Sequence, residues 1–488
     1  MNLASLVLGH DARAPAVHDG RRSSNWGELR ARAAGVVGAL GEAGVAPGDH
    51  VAIVWPNSCA FVACYLGVVA AGAVAVPLNP ASPGPELEAE LESVRPSFVL
   101  SSTDCGPVLS GLGCLDGVAV MDDLPPASPD PLEPLDRGDG DPAVLLFTSG
   151  TAGPARPAVL SHGNLRANLH QMLSLPGDLS RPGDVAFTAV PLFHIFGLNV
   201  ALGLCLATGA ALAVEDHFDP VSSWSLVSEL AVTTLVGVPA MFGSWAERAS
   251  AGRLAPAGGV RLAVCGAASL SPETAHFFEQ HTGITLWSGY GLTEASPVVS
   301  TTVGTGRNVA GSVGRPLPGV ELRLVDEAGA DVLHGDPGEI WVRGANVFGG
   351  YFEDPESSAE VLTGDGWLRT GDIGVLGDDG DLFVVDRRKD LIIVSGFNVF
   401  PGEVEQVLRT VPGVRDVVVV GRPDPVAGES VEAVVVAAAG DPVPTEEQLR
   451  QACAASLARY KCPNTVRFVD QLPRGLVGKA LRRAVREP

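Results

Sequence analysis

Short runs of Val, Ile, Ala and Leu recur through the first half of the chain, each bounded by Gly, Pro or Asp and followed by a longer stretch with apolar residues at helical spacing. HVAIVWP (50–56) predicts a strand, Cys59–Ala70 a helix, AVAVPL (73–78) a second strand and FVL (98–100) a third. Near-continuous apolar strands alternating with helices are the mark of βαβ units, whose parallel sheet is buried on both faces. AALAV (210–214) and TTLVGVP (233–239) flank a further helical stretch and extend the pattern. Asp123–Pro142 is too rich in Pro, Gly and Asp to continue a helix or central strand, and predicts a surface linker between sub-lobes. Farther along the period changes. Val320–Val342 alternates as hairpins do, and VVVVGRPD (417–424) with VEAVVVAAAG (431–440) and a helical pattern near Glu446–Leu457 predicts a small separate α+β unit.

Length adds that more than one core is expected, since domains split beyond about 250–300 residues and this chain has 488. No run of about 20 uninterrupted apolar residues is present, and the first residues lack the basic and long apolar segments of a signal peptide. A cytoplasmic protein without a membrane span is the expectation. The 33 Lys+Arg against 56 Asp+Glu give a formal charge of −23, which opposes nucleic-acid or anionic-membrane binding through broad electrostatics, so any anionic ligand must be held locally. Eight cysteines without CxxC pairs or matched histidines signal neither a zinc site nor a disulfide framework.

Five stretches carry candidate chemistry. In LLFTSGTAGPARPAVLSHGNL (145–165) an apolar strand runs into a loop of Thr148, Ser149, Gly150, Thr151 and Gly153, where small residues let backbone N–H groups approach a phosphate and hydroxyls add donors. It is not the GxxxxGK[ST] loop, and such a loop taken alone can equally be a plain turn. WSGYGLTEAS (287–296) sets Tyr290 between glycines, free to stack a base, with Thr293 and Glu294 after it for a phosphate and a magnesium ion; the bland alternative is a turn with a packed tyrosine. GWLRTGDIG (366–374) ends an expected strand with Asp372, whose carboxylate suits two ribose hydroxyls or simply a turn. VVDRRKDLIIVSGFNVFPGEVEQVL (384–408) opens with a charged cluster, turns at Ser395–Gly396 and enters a helix near Pro401. LPRGLVGKALRR (472–483) places Lys479 after a Gly-containing loop.

In their joint order these stretches resemble the adenylate-forming superfamily of acyl- and aryl-CoA synthetases, luciferases and nonribosomal adenylation domains, closest in pattern to fatty acyl-CoA ligases. PLFHIFGL (191–198), VCGAASL (264–270), GSVGRPLPG (311–319) and GEIWVRGANVFGGYF (338–352) agree. The resemblance implies an α/β fold. A large N-terminal domain (1–386) of parallel-sheet αβα sub-lobes and a β-rich sub-lobe precedes a small mobile C-terminal α+β domain (387–488). It implies that Thr148, Ser149, Gly150 and Thr151 cradle the ATP phosphates, and that Gly266, Ala267 and Ala268 with Ser288, Gly289 and Tyr290 line the adenine and acyl pockets. Thr293 would touch phosphate, Glu294 would hold Mg²⁺, and Asp372 with Arg387 the ribose. Lys389 resembles a hinge, Ser395 and Gly396 a pantetheine-channel turn, Lys479 the lysine of adenylation, and His194 the mouth of the acyl site, though a histidine between phenylalanines can equally be a satisfied core residue. The activity implied is formation of an acyl-AMP from a carboxylic acid, ATP and Mg²⁺, then transfer to coenzyme A.

The chain departs from the family pattern at Ala155-Arg156-Pro157, where Pro-Lys-Gly is usual. Arg156 keeps the positive charge and takes the catalytic place of that lysine, without its compact geometry or the glycine's backbone freedom. His217 and Ile393 stand where some CoA-using relatives are basic. Two alternatives therefore stay open: a ligase that loads an acyl carrier protein, which the compact stretch Gly338–Asp390 disfavours because such ligases commonly carry an insertion there, and a non-catalytic nucleotide-binding homologue.

Overall fold

The computed structural model describes residues 1–148, 156–254, 258–387, 390–394, 397–424, 428–438, 442–475 and 480–486. They divide into two units, residues 1–321 with 342–368, and residues 322–341 with 369–488.

The first unit is built on two sheets. Strands β1 (Pro15–His18) and β2 (Ser23–Asn25) are followed by β3 (His50–Val54), β4 (Val74–Leu78), β5 (Phe98–Ser101), β6 (Ala119–Met121), β7 (Pro142–Thr148) and β8 (Arg156–Ser161). The chain continues with β9 (Val185–Thr188), β10 (Ala211–Val214), β11 (Thr234–Gly237), β12 (Leu262–Cys265), β13 (Leu286–Gly291), β14 (Val298–Thr301) and β15 (Arg315–Pro316). One sheet runs β6-β5-β3-β4-β7-β8 and the other β15-β14-β13-β12-β11-β9-β10-β1-β2. Pairing is parallel from β6 to β7 and from β13 to β1, as apolar strands alternating with helices require. The helix Cys59–Ala70 starts where Ser58 accepts the Phe61 N–H, and all but one of its residues are buried. It is apolar all round because it is covered on every side; Gly67 lets it close on the helix Trp26–Glu42, since a Cβ there would stand 2.4 Å from Val36 Cβ.

The Pro-rich stretch after Asp123 does not join two sub-lobes. It connects β6 to β7 of one sheet and lies along the helices that cover it: Ser128 N–H donates to the Ala31 carbonyl and Leu135 N–H to that of Ala70, while Leu132 is buried. Composition identifies such a segment as irregular without revealing that its N–H groups are spent on helix carbonyls.

In the second unit, β16 (Glu321–Val325), β17 (Gly338–Arg343), β18 (Leu368–Leu376) and β19 (Leu382–Arg387) form a four-stranded sheet in sequence order. Beyond it, β20 (Ile392–Val394), β21 (Phe397–Val399), β22 (Val414–Asp424), β23 (Gly428–Ala437) and β24 (Thr465–Phe468) form a sheet of order β21-β20-β23-β22, with β24 beside β23. The valine run of β22 is explained by burial on both faces. Val417 and Val419 face a core with Leu408, Leu449 and Cys453, whereas Val418 and Val420 face Leu472 and Val485. Among the described residues no helix is long and apolar enough to cross a membrane.

Candidate active site

β7 and β8 are antiparallel, and Thr148 at the end of one faces Arg156 at the start of the other, with the Thr148 hydroxyl donating to the Arg156 carbonyl at 3.3 Å. The Ser/Thr/Gly stretch thus lies in sequence between two paired antiparallel strands; Ser149, Gly150 and Thr151 lie outside the described residues. Residues 350–352 pair with the other edge of β8: Phe352 N–H donates to Pro157 O, Val159 N–H to Gly350 O, and Tyr351 bridges Ala158. Tyr351 is thereby aimed at Glu294, donating its hydroxyl to Oε1 at 2.7 Å. Arg156 Nε sits 3.4 Å from Asp354 Oδ2, and Asp354 caps the helix Pro355–Val361 through the Ser357 N–H. Burial and then the charge of Glu294 push the Tyr351 hydroxyl well above its ordinary pKa, so it stays a donor at physiological pH. Sequence reasoning gives Tyr351 and Asp354 no role; the paired glycines before Tyr351, of which Gly350 takes a φ of +131°, are the signal that points to them.

Glu294 lies in the turn Thr293–Ala295, which a buried amide network fixes. Asn346 Nδ2 donates to Ala295 O at 2.8 Å, Gln171 Nε2 to Asn346 Oδ1 at 3.1 Å, and Asn168 Nδ2 to both Gln171 Oε1 and Val298 O. Asn199 Nδ2 donates to Ser296 O at 2.7 Å, and the Phe348 N–H to Glu294 O itself. All four amides are buried. A buried amide left unpaired costs about 1–3 kcal/mol, so the network restricts the turn to one arrangement. A carboxylate with one oxygen held by a hydroxyl is an oxygen donor of the kind Mg²⁺ takes.

Ser288, Gly289 and Tyr290 stand within β13, an extended strand that bulges against β14 after Tyr290, where a turn was the bland expectation. Parallel pairing of β12 with β13 sets Cys265 beside Ser288, which brings the Gly266–Ala267–Ala268 segment to the carboxyl end of the sheet next to the Ser288–Tyr290 stretch. Ligand sites of open α/β sheets form at such strand ends. Ala267 takes φ of +63°, at a cost of about 1–2 kcal/mol for a residue with a Cβ. Gly266 carries the ring of Phe196, for a Cβ there would approach Phe196 Cζ to 2.7 Å. His194 precedes this ring. Its Nδ1 accepts the Phe196 N–H at 3.2 Å, and burial holds its pKa down at about 4, so the neutral ring carries its proton on Nε2.

In the second unit, Asp372 is not the end of a strand but the middle of β18, and its side chain is buried. Its cross-strand partner in β19 is Arg387, so the two residues assigned to the ribose are direct neighbours in register. The Asp372 N–H donates to Thr370 Oγ1, which in turn donates to Ile340 O. Lys389, Ser395, Gly396 and Lys479 lie outside the described residues, as does the Arg387 side chain. His217 is exposed 3.5 Å from Asp216, and Ile393 is exposed.

Two αβ sheets, a tyrosine-held carboxylate and close-packed glycine at the strand ends make an α/β protein with a smaller α+β unit after it in sequence. A family model described as AMP-binding enzyme matches residues 8–352, and one described as AMP-binding enzyme C-terminal domain matches residues 403–479. The chain belongs to the AMP-binding enzyme family. It is 36% identical over 486 residues to the long-chain-fatty-acid–CoA ligase of Yersinia pestis, covering 91% of this chain and 86% of that one. It is 37% identical over 476 residues to the feruloyl-CoA synthase of an Amycolatopsis species, covering 97% and 95%. Among solved structures it is similar to ATP-bound MatB from Rhodopseudomonas palustris, with a TM-score of 0.92, 32% identity and coverage of 100% and 98%.

Proposed function

We propose that the protein is an AMP-forming acid:CoA ligase whose substrate is an apolar monocarboxylic acid. The observation that carries the reading is Glu294 fixed by the Tyr351 hydroxyl and the buried amides beside the Thr148–Arg156 hairpin end. In the first half-reaction a carboxylate oxygen of the acid attacks the α-phosphorus of ATP, the α–β P–O bond breaks and pyrophosphate leaves. The nucleophile is already ionised at neutral pH, so the site must supply charge neutralisation more than proton transfer. Thr148, Ser149, Gly150 and Thr151 hold phosphate oxygens, Thr293 adds a hydroxyl, and Arg156 and Lys479 add positive charge. Glu294 would hold Mg²⁺, which when bound would offset the charge of the phosphates. Asp372 and Arg387 hold the ribose, and Ser288, Gly289 and Tyr290 line the adenine side. In the second half-reaction the thiolate of CoA attacks the acyl carbon and AMP leaves, with Ser395 and Gly396 beside the pantetheine.

The acid class follows from the residue types of three segments at the strand ends. His194–Val200, Gly237–Phe242 and Gly266–Ser269 contain no lysine or arginine to pair a second carboxylate, and the Phe196 ring, neutral His194 and the Cα of Gly266 and Gly237 leave an apolar lining. That the two curated relatives are named for a fatty acid and for ferulic acid agrees with an aliphatic or aryl chain. The large domain (1–386) and small domain (387–488) pivot near Lys389 between half-reactions, and the reaction runs in the cytoplasm, where ATP and CoA are available. The test is a panel of aliphatic, aryl and dicarboxylic acids with MgATP, offered CoA and a pantetheinyl carrier protein in competition. Apolar acids should give acyl-CoA. Pyrophosphate release without CoA dependence but with carrier loading overturns the acceptor, and no pyrophosphate with any acid overturns the enzyme.

A further inference from the structure

Three carboxylates converge on one arginine in the second unit. Arg482 Nη1 lies 3.1 Å from Asp386 Oδ1 and 3.3 Å from Asp390 Oδ2, and its Nη2 lies 2.7 Å from Glu405 Oε1. Asp386 is the best enclosed of them, with a side chain only 2% exposed. Its second oxygen, Oδ2, accepts the N–H of Gly402 at 2.7 Å. Gly402 opens the helix Pro401–Arg409, and its Cα packs so closely on β19 that a Cβ would stand 2.8 Å from Val385 O.

Such a cluster is a poor stabiliser by itself, since desolvating charges offsets most of their attraction and apolar replacements are often neutral or better. Its position along the chain gives it another use. Asp386 precedes residues 387–389, whereas Asp390, Gly402, Glu405 and Arg482 follow them. We propose that Asp386, gripped by Arg482 and the Gly402 N–H, is a latch across the pivot that stabilises one orientation of the small domain; this rests on the two-step reading above. Rotation about residues 388–389 carries Arg482, Asp390 and Glu405 together, so Arg482 keeps two carboxylates when the latch opens. Asp386 loses the Arg482 and Gly402 donors. Opening therefore leaves the Arg482 charge paired on its own side of the pivot, which makes the latch reversible. Arg482 acts here as a positioning residue, three residues after Lys479 on the segment that must be delivered to and withdrawn from the reacting phosphate.

The experiment uses the full chain and the variants Asp386→Asn, Arg482→Gln, Arg482→Lys and, as a control, Arg450→Gln, whose partner Glu446 also follows the pivot. Three quantities are read: acyl-AMP formation, acyl-CoA formation from supplied acyl-AMP, and hydrogen exchange at the Gly402 amide. Asp386→Asn and Arg482→Gln should shift the ratio of the two half-reaction rates in the same direction, by a factor within about 5- to 150-fold, the range of ordinary coupling between sites. Arg482→Lys should restore part of the shift. Exchange at Gly402 should quicken in Arg482→Gln, because Gly402 and Arg482 are held by the two oxygens of one carboxylate, and Arg450→Gln should change neither. An unchanged ratio, opposite shifts in the two variants, or equal loss of both halves with a lowered Tm overturns the latch. If wild type forms no acyl-AMP from any acid, the ligase reading has failed on its own; unchanged Gly402 exchange in Arg482→Gln then overturns the latch, and faster exchange sustains it.

Discussion

Tyr351→Phe removes one hydroxyl and little else. The ring keeps its edge-on contact with Phe348, at 5.0 Å between centroids, and the backbone keeps its bridge to Ala158. What is lost is a 2.7 Å bond to a carboxylate oxygen, and hydrogen bonds to charged groups contribute about 1.5–3 kcal/mol. Because Glu294 is only half-buried, water can refill the vacated position, which puts the net effect toward the lower value. Residues that orient metal ligands typically change metal affinity or activity by 10–100-fold. We therefore expect the Mg²⁺ concentration for half-maximal acyl-AMP formation to rise about tenfold, with the apparent affinity for the acid unchanged. The shift should be flat from pH 6 to 9, since the buried hydroxyl does not ionise in that range. The assay is carboxylate-dependent ATP–pyrophosphate exchange titrated with Mg²⁺ at fixed free ATP. Superimposable titrations of wild type and variant, at equal Tm, refute the positioning argument.

Lys479→Ala should lower acyl-AMP formation by about 10²-fold or more while sparing thioester formation from supplied acyl-AMP, because its charge is needed only as pyrophosphate leaves; an unchanged adenylation rate removes the assignment. Asp372→Asn, nearly isosteric in the middle of β18, should raise the KM for ATP about tenfold or more with kcat less affected, and unaltered ATP dependence in a folded variant counts against ribose binding. His162 accepts the Leu3 N–H on Nδ1, and burial, then Arg137, hold its pKa down at about 4 from 6.5. The unfolded chain then binds the extra proton first, so stability is full above about pH 6.5 and falls as pH drops toward 4, by at most ~3 kcal/mol. Urea midpoints at pH 7 and 4.5 should converge in His162→Gln relative to wild type, though His194 keeps part of the slope; identical pH dependence refutes it.

Strands and helices of the first unit were legible because their apolar runs have the length and spacing that a doubly covered parallel sheet demands. The helix Cys59–Ala70 has the predicted bounds, since Ser58 caps one end and Gly72, at φ +77°, follows the other. Legibility failed where a residue's use depends on a distant partner. The Asp123–Pro142 stretch carries no local sign that its N–H groups would seek the helix carbonyls of Ala31 and Ala70. Asp372 looks like a turn former after Thr-Gly, yet Gly371 at φ +71° lets β18 continue through it, and only the pairing with β19 sets it against Arg387. Tyr351 and Glu294 are 57 residues apart, and the amides that fix the Glu294 turn come from three further segments, so no window of sequence contains the site.

The altered Ala155-Arg156-Pro157 segment can now be weighed in the same terms. Within a strand, a residue's N–H and C=O point to the same side, and Pro157 O accepts the Phe352 N–H. The N–H that proline lacks would therefore have faced the short 350–352 segment and not β7, so the β7–β8 ladder loses nothing by the substitution. Arg156 meanwhile reaches Asp354, which tethers its guanidinium on the side where residues 350–354 carry Tyr351 to Glu294. A side chain about 39% exposed keeps donors available beyond that contact, and guanidinium offers five where an ammonium offers three. The departure thus leaves strand pairing and positive charge in place, and changes the way the charge is held. That is the condition of a site adapted to arginine, and it weighs against a homologue that has lost its phosphate chemistry.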